Sequence, residues 1–543
     1  MFRSRWGAVL GLSALALLAA VPRLVSLGRV GFNSDEAVYA GQGAALLGDE
    51  RMAEFFSIFR AHPLLLQGMI GSLFTVTGVN DVAARMLVAL LFGVGTVLVT
   101  YYLGREAVGH RGGAVAAVLL AVMPYHVLVS RQVMLDPPLA FFASLSLLLA
   151  IRGSKARNER FLVPAVTAAA LATLSKETGL LLFPILFGAA VVTGWWRVVR
   201  LRTLIVSLSI AVLVGLPFLL SRAIWSAGGS SDYILWQFLR PPNHTQAYLP
   251  GIMIQYAGPL FIAAALVGLG RMVRRRSTAD WYLLAFLGVY VTFMVAWPTK
   301  LFPYLMLVVP ALAVAAGSGI VWVGELTGRL IPRVAPPLAR ATFGIGMIGA
   351  LVSGPMVLNT GRVIQEGPDP LSDRRFDLEV HEFVGAREAA EWAGEHTPRN
   401  SRFLTIGPSL GNVLAFYGSR HFVALSVSPD PARRNPAYVP VANPDLAIRQ
   451  NDIHYAVWDF LSANRSGFYS RRLQSYAAKY GTAVAFAVYR DVDGEVRAVA
   501  GYPPASAEPL IVVFELHGGD PIQPLAFPPL EAQRDEPPSG PAA

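Results

Sequence analysis

Cysteine is absent from all 543 residues of the sequence. Its absence excludes disulfide bonds, thiol nucleophiles and thiolate metal sites. Charge is also scarce, because Asp, Glu, Lys and Arg together make up 15% of the chain, whereas an ordinary soluble protein carries about 25%. Hydrophobic residues make up 54% of the chain. This composition excludes a large soluble enzyme and predicts a membrane protein.

The apolar residues are grouped into long runs, and the mean hydropathy is +0.49. Runs of about 20 residues with almost no charge have the length that crosses the hydrocarbon core of a bilayer. We expect a polytopic α-helical membrane protein with about eleven spans, the first of them an uncleaved helix rather than a signal peptide. The predicted spans are 7–27, 84–104, 112–130, 137–151, 161–174, 178–194, 203–221, 252–270, 281–297, 303–323 and 341–358.

The formal net charge is +10. The basic residues lie between apolar runs rather than among aromatic residues of a soluble surface, which favours membrane topology over nucleic-acid binding. Alternate short loops hold eighteen Lys and Arg residues, and the other loops hold eight. The positive-inside rule therefore predicts a plasma-membrane protein with a cytoplasmic N-terminus. The first long loop and everything after the last span would then be extracytoplasmic.

The loops and the C-terminal third set the predicted domain organisation. Residues 1–360 form the membrane domain, whose first outer loop spans 28–83. Residues 376–520 alternate between strand-like and helix-like stretches, which predicts an extracytoplasmic α/β domain. Residues 521–543 are rich in proline and predict a disordered tail.

Two adjacent acids, Asp35 and Glu36, lie in the first outer loop just beyond the first span. A carboxylate there could take the proton from a hydroxyl group as that group attacks a sugar. The structural alternative is a helix start, with Ser34 as N-cap and the two acids favoured by the helix dipole. That alternative is the commoner one for such a pattern, and the two interpretations are compatible.

Further polar groups recur where the other outer loops meet the membrane. Each has a structural explanation of its own: a capped helix start, an ion pair, or a side chain that reaches the interface. Because the topology places all of them on one face, we interpret them as a candidate site with acids for an acceptor and cations for an anionic leaving group. The set consists of His62, Arg131, Asp136, Lys176, Lys300 and Tyr304.

A divalent metal ion is a possible cofactor of this site. Asp35, Glu36, His62 and Asp136 are the types of ligand that such an ion prefers. Stabilisation by Lys and Arg side chains alone would serve the same purpose, and the sequence leaves both alternatives open.

Several motifs, taken in order, resemble a known family. The segments SDEAVYA, NDVAARMLVALLFGVGTVLVTYYLGRE, SRQVMLDPPLAFF, LSKETGLLLFP and TKLFPYLMLVVPALAVAAG are similar to those of the GT-C membrane glycosyltransferases, in particular the protein O-mannosyltransferases and the lipid A aminoarabinose transferases. The resemblance covers roughly residues 5–325.

The resemblance implies an inverting single displacement, in which a monosaccharide leaves a polyprenyl-phosphate donor. Asp35 would be the base, with Glu36 beside it, Asp136 the second acid and Lys300 a neighbour of the donor phosphate. The partners would be this donor, membrane lipids, and an acceptor protein, glycan or lipid.

Two departures limit the resemblance. The aminoarabinose transferases have a lysine before two prolines where this chain has His62-Pro63-Leu64, which argues against aminoarabinose or lipid A specificity. Oligosaccharyltransferases carry a WWDYG signature, and this chain has only HYAVWDF at 454–460, interpreted as a buried strand. The alternative from another class is a transporter or flippase of a lipid-linked sugar, but the candidate groups lie in outer loops and no halves repeat.

Overall fold

The computed structural model describes residues 2–57, 62–224, 236–329, 337–366, 383–435, 437–521 and 525–530. The chain forms a helical membrane domain followed by a smaller domain built on one sheet. The membrane domain begins with α1 (Phe2–Leu24). The first outer loop after it folds into four short helices, which are α2 (Ser34–Leu46), α3 (Glu50–Phe55), α4 (Leu65–Thr77) and α5 (Asp81–Leu87).

Helix α5 runs through one π-helical segment into the next span. The π segment is Val88–Val94, and the helix continues through it without a break, so that Asp81–Val108 is one apolar helix of 28 residues. The helices that follow in the membrane domain are α6 (Gly95–Val108), α7 (His110–Val122), α8 (Pro124–Ser130), α9 (Asp136–Ala156), α10 (Leu162–Ser175), α11 (Leu182–Val192), α12 (Leu201–Ile224), α13 (Tyr248–Ala257), α14 (Pro259–Arg275), α15 (Thr278–Ala296), α16 (Val309–Gly328) and α17 (Pro337–Glu366).

Six helices in the described part of the chain are long and apolar enough to cross a membrane, or up to eight if each bent pair is one span. The pairs α7–α8 and α13–α14 bend by 63° and 109°, at Pro124 and at Gly258-Pro259, where proline cannot continue the preceding helix. The predicted number of about eleven spans is not confirmed.

Lipid-facing and protein-facing surfaces differ in this domain. Leu204, Val212 and Leu213 on α12 are exposed, as expected of side chains that meet lipid rather than water. Helix α14 packs closely on α16, because Gly268 and Gly319 each face the other helix's backbone and leave no room for a Cβ atom. Small residues permit such close helix contacts in membranes.

The C-terminal domain has a six-stranded sheet in the order β2-β1-β3-β6-β4-β5. Strands β1, β2 and β3 are parallel, whereas β6 and β4 continue the sheet in antiparallel pairs. The strands are β1 (Arg402–Thr405), β2 (His421–Ala424), β3 (Tyr455–Asp459), β4 (Gly481–Arg490), β5 (Val496–Val499) and β6 (Glu508–Leu516). The helices are α18 (Ala386–His396), α19 (Pro408–Gly418), α20 (Pro444–Arg449), α21 (Phe460–Arg465) and α22 (Gly467–Tyr480). The predicted small sheet domain at the C-terminus is confirmed.

The start of the predicted tail packs on this domain. The backbone of Leu530 exchanges hydrogen bonds of 3.0 and 3.1 Å with the Gln474 side chain, and Phe527 lies 4.7 Å from the ring of Phe514. Leu530 is buried. The packed domain therefore extends to residue 530 rather than ending at 520, and residues 531–543 lie outside the described residues.

One hydrophobic cluster joins the two domains. Phe32 and Phe56 of the first loop pack with Phe416 of α19. At its edge the Tyr417 hydroxyl donates a 2.6 Å hydrogen bond to Asp81 and accepts one of 2.9 Å from the Phe32 N–H. The C-terminal domain is thus fixed against the first loop, where the candidate acids lie.

Candidate active site

The acid pair opens helix α2. The residue that caps this helix is Asn33, which has an extended backbone. Its side-chain Oδ1 accepts the N–H groups of Asp35 and Glu36, each at 3.0 Å. Glu36 in return accepts the Asn33 N–H at 3.0 Å, which completes a capping box. The prediction of Ser34 as the cap was wrong by one residue, because Ser34 already belongs to the helix.

The two acids have opposite surroundings. Glu36 is buried, and its two oxygens accept four hydrogen bonds: from Asn33 N, from Val133 N at 2.9 Å and twice from Arg85 at 2.6 and 2.8 Å. Asp35 is exposed to a cavity. A carboxylate with both oxygens doubly engaged is poorly placed to take another proton, whereas the Asp35 carboxylate can meet a ligand in the cavity.

Arg85 is a central residue of the site that the sequence analysis missed. Its Nη atoms donate to the carbonyls of Leu27, Val30 and Gly31 at 2.6–3.1 Å, and the remaining donors bind Glu36. All five N–H donors of the guanidinium are thereby used. The sequence did contain a sign of this role, because Arg85 is a lone arginine in an otherwise apolar predicted span. A charge in such a span needs a buried partner.

Asp136 forms a second ion pair. Its carboxylate is buried. Nζ of Lys176 donates to Oδ1 of Asp136 at 2.9 Å and to Oδ2 at 3.1 Å. The same ammonium lies 4.6 Å from the centre of the Tyr304 ring. The structure therefore brings together three residues that the sequence analysis had proposed from three separate loops.

His62 pairs with the residue next to Lys176. Its Nδ1 lies 2.9 Å from Oε2 of Glu177, and its ring meets Tyr39 edge-on at 6.4 Å. This contact joins the part of the first loop just before α4 to the short 3-10 helix Glu177–Leu181, which follows α10. His62 also lines the cavity beside Asp35.

Lys300 lies in a neighbouring polar segment. It is buried, its Nζ donates to the Trp297 carbonyl at 2.9 Å, and its backbone pairs with the Asn243 side chain. Burial lowers the pKa of Lys300. Burial also lowers the pKa of His244, and the positive charges of Arg465 and Lys300 add to that effect. Lys300 thus contributes to a positively charged region.

Arg131 has a structural position. Its guanidinium donates to the carbonyls of Pro22, Val25 and Ser26 at 2.7–3.3 Å, at the end of α1 where helix carbonyls lack partners. These contacts account for Arg131 as a helix cap, and they set it apart from the groups around Asp35 and Asp136.

The C-terminal domain supplies residues that the sequence analysis did not propose. Nδ2 of Asn412 donates to Oγ of Ser34 at 3.0 Å and to the Tyr438 hydroxyl at 2.8 Å. Arg465, at the end of α21, is near enough to Asp35 to stabilise its charged form. No motif marked these residues, because they come from two helices and a loop that meet the site only in three dimensions.

The electrostatics at Asp35 are mixed. Burial by the surrounding protein raises the pKa of Asp35, while the positive charges of His62 and Lys176 oppose the rise. The side chain itself is exposed, so water in the cavity limits the effect. The raised pKa makes the Asp35 carboxylate more basic than an ordinary Asp.

The four metal-ligand candidates do not converge in the structure. Among the described residues there is no group of three or more His, Asp and Glu that could hold a metal ion. Arg85 occupies Glu36, Lys176 occupies Asp136, and Glu177 occupies His62. Of the four candidates, Asp35 is the exposed one, and its carboxylate lines the cavity.

Known proteins give a consistent picture. The family model of dolichyl-phosphate-mannose-protein mannosyltransferases matches residues 61–225. Among solved structures, ArnT from Cupriavidus metallidurans in the apo state superposes with a TM-score of 0.65 and 16% identity, covering 95% of this chain and 98% of ArnT. The chain has the fold of the GT-C glycosyltransferases. This result confirms the resemblance predicted from the sequence.

Two further structures support the GT-C fold. ArnT from the same organism bound to undecaprenyl phosphate gives a TM-score of 0.62 and 18% identity over 94% of this chain and 98% of that one. The archaeal oligosaccharyltransferase AglB from Archaeoglobus fulgidus, in complex with an inhibitory peptide and a dolichol-phosphate, gives 0.60 and 15% over 94% and 76%. A comparison with curated protein sequences finds no match. Together with the family-model match, the GT-C fold indicates a membrane glycosyltransferase.

Proposed function

We propose that the protein transfers a monosaccharide from a polyprenyl-phosphate donor to an acceptor hydroxyl at the outer face of the plasma membrane. The observation that carries the proposal is the contrast among the acids: Glu36 and Asp136 are buried in ion pairs, and Asp35 opens into a cavity. One reactive carboxylate beside fixed cations is the arrangement that this transfer needs. The relatives bound to undecaprenyl phosphate and dolichol-phosphate support a lipid-phosphate donor.

The reaction follows from these surroundings. The acceptor oxygen attacks the anomeric carbon as the carbon–oxygen bond to the lipid phosphate breaks, and the phosphate leaves with the bonding electron pair. Asp35 takes the acceptor proton as general base. Displacement in one step inverts the anomeric configuration. The leaving phosphate is a stable anion, so it needs stabilisation by positive charge more than it needs a proton.

Lys176 and Lys300 are the residues we assign to that stabilisation. Lys176 is held between Asp136 and Tyr304, which fixes its position before the donor arrives. Asp136 thus acts by positioning Lys176, and Tyr304 covers the ammonium with its ring. Preorganised charge of this kind costs no rearrangement during the reaction.

The test is transfer by the purified protein in lipid nanodiscs, with radiolabelled polyprenyl-phosphate monosugars and an envelope extract as acceptor source. We expect transfer by the wild type and a loss of about 10²-fold or more in Asp35→Asn. Glu50→Gln is the matched control, since Glu50 is an exposed acid of the same loop and its loss should change nothing. Full activity in Asp35→Asn would refute the assignment of the base.

Transport of a lipid-linked sugar is the competing function. Vesicles that contain the protein and a fluorescent polyprenyl-phosphate sugar distinguish the two. We expect transfer without accelerated translocation of the lipid. Translocation in the absence of transfer would overturn the proposed function.

A further inference from the structure

The cavity beside Asp35 has an unusual lining. It measures about 120 Å³ and lies between the first outer loop and the C-terminal domain. Asp35 and His62 are among its described lining residues, and none of those residues is Lys or Arg. Most of the rest of the lining consists of the amides of Gln42, Asn412 and Asn435 and of aromatic rings. Apart from Asp35 and His62, this wall is uncharged, with amide and aromatic side chains.

The C-terminal domain builds one side of this cavity with a turn. Oδ1 of Asn435 accepts the Ala437 N–H at 3.0 Å, and the Asn435 carbonyl accepts the Tyr438 N–H at 3.1 Å. The turn presents the Tyr438 hydroxyl to Nδ2 of Asn412, which also donates to Ser34 beside the acid pair. Burial raises the pKa of Tyr438 to about 12, so its hydroxyl is neutral at physiological pH.

Asp35 lines the cavity and also lies close enough to Lys176 for that positive charge to act on it. Lys176 is held by Asp136 and Tyr304 and is not among the described lining residues of the cavity. In a single displacement the base must lie beside the attacking hydroxyl, and the cations beside the leaving phosphate. The cavity, which Asp35 lines and Lys176 does not, is therefore the acceptor side.

We propose that this cavity binds the acceptor as a neutral sugar unit of a glycan, with Asn435 and Tyr438 as acceptor-binding residues. The inference rests on the proposed function and specifies its acceptor. An amide both donates and accepts hydrogen bonds, as a sugar hydroxyl does, so three amides in one wall suit several adjacent hydroxyls. Aromatic rings supply flat apolar surface for the faces of a sugar ring.

The side chains that line the cavity argue against a phosphorylated acceptor. Phosphate recognition would use Arg or Lys side chains, which the described lining lacks. A Ser or Thr side chain offers one hydroxyl, and so it meets fewer of the polar groups of this wall than a sugar ring does.

The test compares three acceptors with wild-type protein in nanodiscs and a radiolabelled polyprenyl-phosphate sugar. They are a short neutral oligosaccharide, a Ser/Thr-rich peptide and a phosphorylated glycolipid. We expect transfer to the oligosaccharide. In Asn435→Ala and Tyr438→Phe we expect the KM for that acceptor to rise about 3- to 10-fold, the effect of one or two lost hydrogen bonds, with donor KM unchanged. Slow hydrolysis of the donor by water should also be unchanged.

Tyr489→Phe is the matched control, because Tyr489 lies on β4 and does not line the cavity. Transfer to the peptide or the glycolipid in place of the oligosaccharide would overturn the inference and leave the proposed function intact. Equal acceptor KM values in wild type, Asn435→Ala and Tyr438→Phe would also overturn it. Failure of the wild type to use the donor with water or any acceptor would overturn both proposals.

Discussion

Glu36→Gln is the substitution that best separates a positioning carboxylate from a catalytic one. One oxygen of Glu36 accepts from Arg85 Nε and Val133 N, and the other from Arg85 Nη2 and Asn33 N. Whichever oxygen becomes an NH₂ group in Gln, that group meets two N–H donors. The buried Arg85 charge also loses its carboxylate partner.

The cost follows from burial. Glu36 and Arg85 have side chains that are 1% and 9% exposed, and breaking a buried ion pair by removing one partner costs about 3–5 kcal/mol. The network also joins the first loop to the segment before α9, so Asp35 should lose its position. A displacement of about 1 Å at a reacting group can reduce the rate about 10²-fold. We therefore expect both stability and transfer to fall in Glu36→Gln.

The measurement is thermal unfolding in nanodiscs, followed by tryptophan fluorescence, together with the transfer assay. Asp35→Asn is the comparison, since Asp35 is exposed and its replacement should reduce transfer while leaving the unfolding temperature unchanged. If Glu36→Gln unfolds like the wild type and loses transfer as Asp35→Asn does, then Glu36 takes part in the chemistry and the positioning role is refuted.

Three further outcomes test the site. Chelation with EDTA should leave transfer unchanged, because the candidate ligands are held in ion pairs; loss of transfer that Mn²⁺ or Mg²⁺ restores would contradict this. Transfer should fall as the pH drops through the raised pKa of Asp35, because the protonated carboxyl group cannot act as a base. Lys176→Gln should move that fall to higher pH, because Lys176 stabilises the charged carboxylate. The same pH profile of kcat/KM in the wild type and in Lys176→Gln would refute this effect of Lys176 on Asp35. Tyr417→Phe should lower the unfolding free energy by about 1–3 kcal/mol, since Asp81 and the Phe32 N–H both lose a buried partner; limited proteolysis between the domains measures it, with Tyr489→Phe as control.

The sequence predicted the C-terminal domain well where its patterns are strong. The buried strand predicted at 454–460 is observed as β3, Tyr455–Asp459. Strand β5 has no such apolar signal, because only four residues form it and its burial pattern is mostly exposed. Helix α21 has six residues and begins directly after the Asp459 cap, so it is too short to show a helical period of its own.

The sequence indicated several residues of the candidate site but few of the contacts between them. Asp136, Lys176 and Tyr304 were proposed together from topology, and the structure joins them. The pairing of Glu36 with Arg85 could not be read from the chain, because forty-nine positions separate them. Asn412 and Tyr438 carry no motif, since an amide and a phenol gain their role only from the fold.

The shared apolar cluster of the two domains has a consequence for how the chain is made. Phe32 and Tyr417 are 385 positions apart, and ribosomes add about 5–20 residues per second. The first loop is therefore synthesised about 20–80 s before α19, the helix whose aromatic residues cover Phe32 and Phe56. During that interval its exposed aromatic face is a substrate for envelope chaperones and proteases, so the yield of mature protein should depend on how fast translation proceeds through the last third of the message.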